Sequence, residues 1–261
     1  MTNLSSEDLL SAALTISAEA QSIPLRYFRS QIPVEDKADS SPVTVADRET
    51  EEHIRSAISE RFPSHGIYGE EFGVEVADSA FVWVIDPIDG TKSFISGSPL
   101  FGMLLGVLDQ GSPQAGVIRM PALGECFAGH RNGTATLNGS PISCRRVTNL
   151  SEARIYLNEA DLMMQMRPST FERLFRTGKL SRFAYDCYSF GLLAMGEIDA
   201  VIDFDLKPYD FLPVVPVIEA AGGVITDWDG QPLGLRSDGT VAAAGTRELH
   251  RALLEILHAT R

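Results

Sequence analysis

The sequence predicts a mixed α/β (α+β) protein with two subdomains, and two patterns along the chain carry this prediction. The first half has helical patterns followed by several strands with short turns between them, which is typical of a mainly antiparallel sheet. The second half alternates short strands with helices, which favours a smaller α/β layer. We place the boundary between residues 149 and 150, so the subdomains are 1–149 and 150–261. We expect them to pack into one body.

Two helices are predicted before the strands. The first begins after Ser5, a candidate N-cap, and has apolar residues at helical spacing. The second covers residues 47–62 and ends before Pro63. Residues 33–41 between them are polar and contain prolines, so we expect a loop there.

A continuous apolar run at residues 81–85 predicts a strand that is buried on both faces. Further strands are predicted at 100–109, 115–119, 126–129, 154–157, 182–184, 200–204 and 223–226. Further helices are predicted at 170–177, 189–195, 210–221 and 246–258. The strands up to residue 129 are assigned to the antiparallel sheet, and the later strands to the α/β layer.

The charge balance excludes one class of partner. The chain has 22 basic and 35 acidic residues and a formal net charge of −13. Nucleic-acid polymers and anionic membranes are bound by clustered Lys and Arg, so neither is an expected partner. A small phosphorylated substrate remains compatible, because metal ions can invert the sign of an acidic site.

Cysteine usage and the start of the chain predict a cytoplasmic location. The three cysteines are far apart and form no Cys-x-x-Cys pair, which argues against a disulfide framework or a structural zinc site. The first basic residue is Arg26, so the basic start of a signal peptide is missing. The most apolar run is about half the length of a membrane-spanning helix.

The most informative residues follow the strand at 81–85. Asp86 and Asp89 stand one turn apart at the end of this strand and can face a common cation, while Gly90 lets the backbone approach a ligand closely. If a helix begins near Thr91, its free amides form an anion site, and carboxylates beside an anion site point to a bridging Mg²⁺. An ordinary aspartate-rich turn is the alternative for this pair taken alone.

Three further carboxylates are candidates for the same site. Glu70 follows an apparent strand start at residues 66–68. Asp210 stands in the first turn of the predicted helix 210–221, where a capping aspartate is the ordinary interpretation. Asp47 has the pattern of an ordinary N-cap of the helix 47–62.

Together these motifs resemble the inositol monophosphatase superfamily of Mg²⁺-dependent, lithium-sensitive phosphatases. The similarity covers essentially the whole chain, and its most specific part is Asp-Pro-Ile-Asp-Gly-Thr at residues 86–91. Within the superfamily it is greatest to the histidinol-phosphate phosphatase branch. Tyr209 and Ser93 stand where inositol phosphatases usually have Trp and Asn. The resemblance implies a layered αβαβα sandwich of the inositol monophosphatase/fructose-bisphosphatase type, and a homodimer.

The resemblance also implies a role for each site residue. Two or three Mg²⁺ ions would be bound, and Asp86 would bridge two of them. The implied metal ligands are Glu70, Asp86, the carbonyl of Ile88, Asp89 and Asp210. Thr91 and Asp47, assisted by Glu70, would orient or deprotonate the water that attacks phosphorus. The amides of Gly90 and Thr91 would hold the phosphate oxygens.

The implied substrate is L-histidinol phosphate, a small phosphate ester of histidine biosynthesis. Its ammonium and imidazole groups would be favoured by acidic residues on the leaving-group side, where Asp186 and Asp203 are candidates. Arg182 is either a further substrate contact or a surface charge at a strand end. Lys37 and Lys92 are candidates for steering the phosphate. The remaining substrate contacts are expected from Glu70, Ile88, Asp89, Gly90, Thr91 and Asp210.

Two alternatives to this function stay open. An inositol-1-monophosphatase or a phosphoadenosine-phosphate phosphatase would use the same metal chemistry with a different leaving-group pocket. A metal-binding regulator without turnover would keep the fold, and the loss of Thr91 or of one carboxylate would have favoured it. All of these residues are present.

Overall fold

The computed structural model of the chain describes residues 4–36, 42–75, 79–183 and 185–259. The elements up to residue 141 are α1 (Ser6–Ala20), α2 (Ser22–Tyr27), β1 (Val34–Asp36), β2 (Pro42–Thr44), α3 (Val45–Arg61), β3 (Gly66–Gly69), β4 (Gly73–Glu75), β5 (Phe81–Asp89), α4 (Thr91–Ile95), β6 (Gly102–Asp109), β7 (Ser112–Met120), β8 (Glu125–His130), β9 (Thr136–Leu137) and β10 (Ser140–Pro141). The later elements are β11 (Arg154–Leu157), α5 (Ala160–Met166), α6 (Pro168–Phe175), β12 (Leu180–Phe183), α7 (Tyr188–Ala194), β13 (Ala200–Asp203), α8 (Pro208–Phe211), α9 (Val214–Ala220), β14 (Val224–Thr226), β15 (Val241–Ala244) and α10 (Arg247–His258).

The first large sheet has eight strands among the described residues, in the order β10-β9-β8-β7-β6-β5-β3-β4. Its neighbouring strands are antiparallel except for β3 and β5, which are parallel. The prediction of helices followed by a mainly antiparallel sheet is therefore confirmed. Because β3 and β5 run in the same direction, their carboxyl ends meet at one edge of the sheet.

The second large sheet has the order β12-β11-β13-β15-β14 within the described part of the chain. β11 is parallel to both β12 and β13, whereas β15 is antiparallel to β13 and β14. The predicted alternation of strands and helices is confirmed for this half. The chain also forms α5 and β15, which were not predicted. The boundary between residues 149 and 150 falls between the two sheets and stays a prediction.

The helices and the two large sheets pack in five layers. Leu9 of α1 and Ile54 of α3 pack on one face of the first sheet, against Trp83. Phe190 of α7 and Phe211 of α8 share a core between the two sheets with residues of both. The second sheet has α5, α6 and α10 on its outer face, where Met163, Leu174 and Leu253 are buried. The order helix, sheet, helix, sheet, helix confirms the αβαβα sandwich.

The predicted helix 210–221 is wrong in one respect, because the structure has two helices in this stretch. α8 ends at Phe211 and α9 begins at Val214. Pro213 lies at the break, and a proline has no N–H to continue the helical ladder. As a result α8 has four residues, of which Asp210 is the third.

The loop predicted at residues 33–41 is also only partly observed. β1 occupies Val34–Asp36 and pairs with β2 in an antiparallel two-stranded sheet. Residues 37–41, and with them Lys37, lie outside the described residues. Over the ranges that the structure describes, no helix has both the length and the apolar character needed to cross a membrane.

Candidate active site

A cleft of about 530 Å³ lies where the carboxyl end of β5, the start of α4 and α8 come together. Most of the site residues predicted from the sequence line this cleft. They are Glu70, Asp86, Ile88, Asp89, Gly90, Thr91, Asp186 and Asp210. Residues from both halves of the chain therefore meet in one place.

Three carboxylates form a tight group on one wall of the cleft. Asp86, Asp89 and Asp210 each offer an oxygen that lies within 4.8 Å of the oxygens of the other two. The pairing of β5 with β6 is irregular between Asp86 and Asp89, which accompanies the approach of both aspartates to one site. Asp210 is held by the backbone N–H of Lys207, which donates to its Oδ2 at 2.7 Å.

The group is electrostatically unfavourable without a cation. Burial, together with repulsion from neighbouring carboxylates, raises the pKa of Asp86 and Asp210 well above the usual range. Burial, and next the charge of Asp186, raises the pKa of Asp89 to about 7. Carboxylate oxygens are the ligands of hard divalent cations, and such a cation would offset the repulsion. The residues present therefore fit a Mg²⁺ site.

Glu70 reaches the same cleft from the neighbouring strand. It follows β3 directly, and its backbone N–H donates to the carbonyl of Ile85 on β5 at 3.1 Å. Its negative charge contributes to the raised pKa of Asp86. The parallel pairing of β3 with β5 thus places Glu70 beside Asp86.

The interpretation of Asp47 as an N-cap is wrong, because Thr44 occupies the N-cap of α3. Asp47 lies three residues into a capping box. Its Oδ2 accepts hydrogen bonds from the backbone N–H of Thr44 at 2.8 Å and from the Thr44 hydroxyl at 2.6 Å. Its Oδ1 faces the hydroxyl of Thr91 at 3.4 Å, and this hydroxyl is 3.1 Å from the carbonyl of Ile88. The predicted Thr91–Asp47 pair is therefore brought together at the cleft.

Gly90 allows a close approach that another residue would prevent. It has a φ of 79°, and a Cβ on it would lie 2.8 Å from the carboxylate of Asp186. α4 begins at the next residue, as predicted, and spans five residues. The start of this helix lines the cleft with Gly90, Thr91 and Lys92.

A turn from the second half of the chain closes over Gly90. Asp186 has a φ of 47° and accepts a hydrogen bond from the hydroxyl of Ser93 at 2.6 Å. The backbone N–H of Cys187 donates to Oδ2 of Asp89 at 2.7 Å. The Cys187 side chain is buried, and the sequence gives no sign that its backbone contacts Asp89.

Two predicted substrate contacts do not line the cleft. Asp203 is buried and accepts hydrogen bonds from Asn158 at 2.7 Å and from the backbone of Phe204 at 2.9 Å. Arg182 is exposed on β12, the edge strand of the second sheet, and its guanidinium donates to the hydroxyl of Tyr185 at 3.0 Å. Their contacts with substrate stay predictions.

Comparison with known proteins assigns the chain to a family. A profile of the inositol monophosphatase family matches residues 5–261. The chain belongs to the inositol monophosphatase family. The family assignment indicates a phosphatase that acts on phosphate monoesters.

The names of similar family members include more than one substrate specificity. The chain is 43% identical to the bifunctional phosphatase IMPL2 of Arabidopsis thaliana over 89% of this chain and 70% of the relative. It is 37% identical to a histidinol-phosphatase of Chlorobaculum parvum over 90% and 91%. The structure of an inositol monophosphatase from Zymomonas mobilis superposes with a TM-score of 0.87 at 34% identity, covering 97% and 98% of the two chains.

The protein has a second pocket beside the cleft, which its sequence patterns did not predict. This pocket, of about 460 Å³, shares Lys92, Glu159 and Asp186 with the cleft. Its other walls include Asp161 and the apolar side chains Met164, Phe171 and Phe183. Glu159 lies two residues after β11, and its carboxylate is 3.4 Å from Nζ of Lys92. A carboxylate just after a strand is the same signal that identified Asp86, and it could have identified Glu159.

Proposed function

We propose that the protein is a Mg²⁺-dependent phosphomonoesterase that hydrolyses L-histidinol phosphate to L-histidinol and phosphate. The observation that carries the chemistry is the group Asp86, Asp89 and Asp210 beside the paired Thr91 and Asp47. The names of the relatives support the substrate in part, because they include both histidinol-phosphatases and inositol monophosphatases.

The proposed metal ligands are Asp86, Asp89, Asp210, Glu70 and the carbonyl of Ile88, all of which line the cleft. Bound Mg²⁺ would supply activation of a water molecule and stabilisation of the leaving oxygen. The metal stoichiometry of two or three comes from the family resemblance.

The protein's own groups would orient the attacking water. When the hydroxyl of Thr91 donates to Asp47, its lone pairs remain available to accept a hydrogen from water. Burial raises the pKa of Asp47, which makes this carboxylate a stronger base than a solvated one. The amides of Gly90 and Thr91, at the start of α4, would donate to the phosphate oxygens.

The second pocket supports a cationic leaving group. Glu159, Asp161 and Asp186 bring three carboxylates to it, and Phe171 and Phe183 bring aromatic surface. Histidinol carries an ammonium group and an imidazole ring, which match carboxylates and aromatic surface respectively. Inositol is a neutral polyol and matches neither.

The test is phosphate release from histidinol phosphate, inositol 1-phosphate and phosphoadenosine phosphate, with Mg²⁺ and with EDTA. We expect a preference for histidinol phosphate of at least about 100-fold in kcat/KM, and no release in EDTA. A preference for another ester would contradict the proposed substrate and leave the metal chemistry in place. No release from any ester would favour a regulator without turnover.

Three further aspects of the proposal rest on the sequence. A role in histidine biosynthesis and a cytoplasmic location follow from the proposed substrate and the cysteine usage. The homodimer follows from the family resemblance alone. Each of these stays a prediction.

A further inference from the structure

Glu51 is a buried carboxylate that lies next to the candidate metal centre and outside it. It is on α3, one helical turn after Asp47, and its side chain is fully buried. The nearest positive charge is Arg55, whose Nε donates to Oε1 of Glu51 at 2.8 Å. A buried ion pair is costly to form unless further hydrogen bonds satisfy its atoms.

The remaining hydrogen bonds of Glu51 come from the turn between β3 and β4. The backbone N–H of Glu71 donates to its Oε2 at 2.7 Å, and that of Phe72 donates to its Oε1 at 3.2 Å. Arg55 also donates to the carbonyl of Gly73, at the end of the same turn. The Glu51–Arg55 pair therefore binds the main chain of this turn at three residues, and the Arg55 guanidinium also lies over the ring of Phe72.

The Glu51–Arg55 pair packs closely against the start of the turn, at Gly69. A Cβ on Gly69 would overlap the carboxylate of Glu51 and the guanidinium of Arg55. Gly69 does not have a positive φ, so close packing is what the glycine provides here. The carboxylate is thus packed directly against the peptide that leads into Glu70.

These contacts hold Glu70 from both sides. The N–H of Glu70 is bound to Ile85 on β5, next to Asp86, and the N–H of Glu71 is bound to Glu51 on α3. α3 also carries Asp47, so one helix carries Asp47 and also binds the turn that follows Glu70.

We propose that Glu51 is a positioning residue which, together with Arg55, fixes the turn that carries Glu70 and so preforms the metal centre. The inference rests on the proposed function in one respect, namely that Glu70 is a Mg²⁺ ligand. Removing groups that orient metal ligands typically weakens metal binding by about 10- to 100-fold. A merely structural role would lower the melting temperature and leave Mg²⁺ affinity unchanged.

The test compares Glu51→Gln with Glu52→Gln in the full chain. Glutamine at 51 keeps one acceptor and places an NH₂ group where the carboxylate accepts hydrogen bonds. Glu52 is the next residue of the same helix and is exposed, so Glu52→Gln makes the same chemical change without the contacts. Mg²⁺ binding is measured by calorimetry, hydrogen exchange over residues 69–73 by mass spectrometry, and Tm in EDTA.

We expect Glu51→Gln to weaken Mg²⁺ binding by about 10-fold and to speed exchange over residues 69–73, while Glu52→Gln matches the wild type. At saturating Mg²⁺ the kcat of Glu51→Gln should stay within about threefold of the wild-type kcat, since the bound metal then restores the position of Glu70. A folded Glu51→Gln protein with wild-type Mg²⁺ affinity would overturn the inference.

A second variant covers the case in which Glu51→Gln does not fold. Gly69→Ala leaves the charge of Glu51 in place and displaces its carboxylate from the turn, so weaker Mg²⁺ binding is expected again. Wild-type affinity in Gly69→Ala would overturn the inference. If the wild type binds Mg²⁺ but releases no phosphate, the proposed function fails and this inference stands. If the wild type binds no Mg²⁺, both fail.

Discussion

Asp89 has two roles in the structure, one toward the cleft and one toward the second half of the chain. It belongs to the carboxylate group with Asp86 and Asp210, and its Oδ2 accepts the hydrogen bond from the Cys187 backbone. An asparagine at this position has the same size and keeps an oxygen that can accept this bond. It lacks the negative charge that a metal ligand needs here.

We therefore expect Asp89→Asn to lower kcat by about 10³-fold or more, because the loss of a metal ligand removes several kcal/mol of transition-state stabilisation. The Tm of the metal-free protein should not fall, since a repulsive buried charge is removed. Steady-state kinetics and thermal unfolding in EDTA measure both quantities. Full activity with normal Mg²⁺ dependence would contradict the site assignment.

Sequence patterns identified single residues better than they identified contacts between residues. Asp86 and Asp89 stand beside an obvious buried strand, so their position was predictable. The bond from Cys187 to Asp89 joins residues that are 98 positions apart, and nothing local to either residue indicates it. Glu51 likewise looks like one acidic residue among several on α3 until the turn it binds is known.

Among the secondary-structure elements, those with a strong local pattern were the predictable ones. β5 is a continuous apolar run, and α1 has a capping box at Ser5. β15 has the sequence Val-Ala-Ala-Ala, and alanine favours helices over strands. It forms a strand because it pairs with both β13 and β14 in the buried sheet, which is tertiary information.

The turn around Gly90 joins β5 to α4, and the loop that carries Asp186 packs over it. Gly90→Ala would place a Cβ 2.8 Å from the Asp186 carboxylate at a φ of 79°. We expect a loss of about 1–3 kcal/mol in the free energy of unfolding from the backbone strain and a large fall in kcat.

Urea unfolding and kinetics test this expectation. Gly111→Ala is the matched control, because Gly111 has a similar φ of 80° with nothing near its Cβ position. Gly111→Ala should lower the free energy of unfolding by the backbone strain alone, and it should keep its activity. Equal activity losses in the two variants would contradict a role for the close approach at Gly90.

At the scale of the whole molecule, the αβαβα layering was predictable from the family resemblance, whereas composition and periodicity alone indicated only α+β. The stability of the whole protein should depend on pH through the carboxylate group. The pKa of Asp89 in the folded protein is about 7, above its ordinary value of 3.8, and those of Asp86 and Asp210 are also raised. Groups of this kind stabilise the folded state at low pH, and the contribution is lost as pH rises through the folded pKa.

We therefore expect the Tm of the metal-free protein to fall between about pH 4 and pH 7. Mg²⁺ competes with protons for the same oxygens, so the increase in Tm that Mg²⁺ produces should grow over this range. Thermal unfolding in EDTA and in Mg²⁺ at each pH measures both trends, and Asp89→Asn should flatten them. An Mg²⁺-induced increase that shrinks with rising pH would contradict the assignment.

The hydrogen bond from the backbone N–H of Cys187 to Asp89 bears on which substitutions position 187 can accept during evolution. Its donor is a peptide N–H, which every amino acid except proline supplies. Selection on this contact therefore acts on the path of the main chain and leaves the identity of the side chain at 187 open. An alanine at 187 would keep this N–H, so an alanine scan would not test the bond, whereas replacing the amide by an ester would remove it.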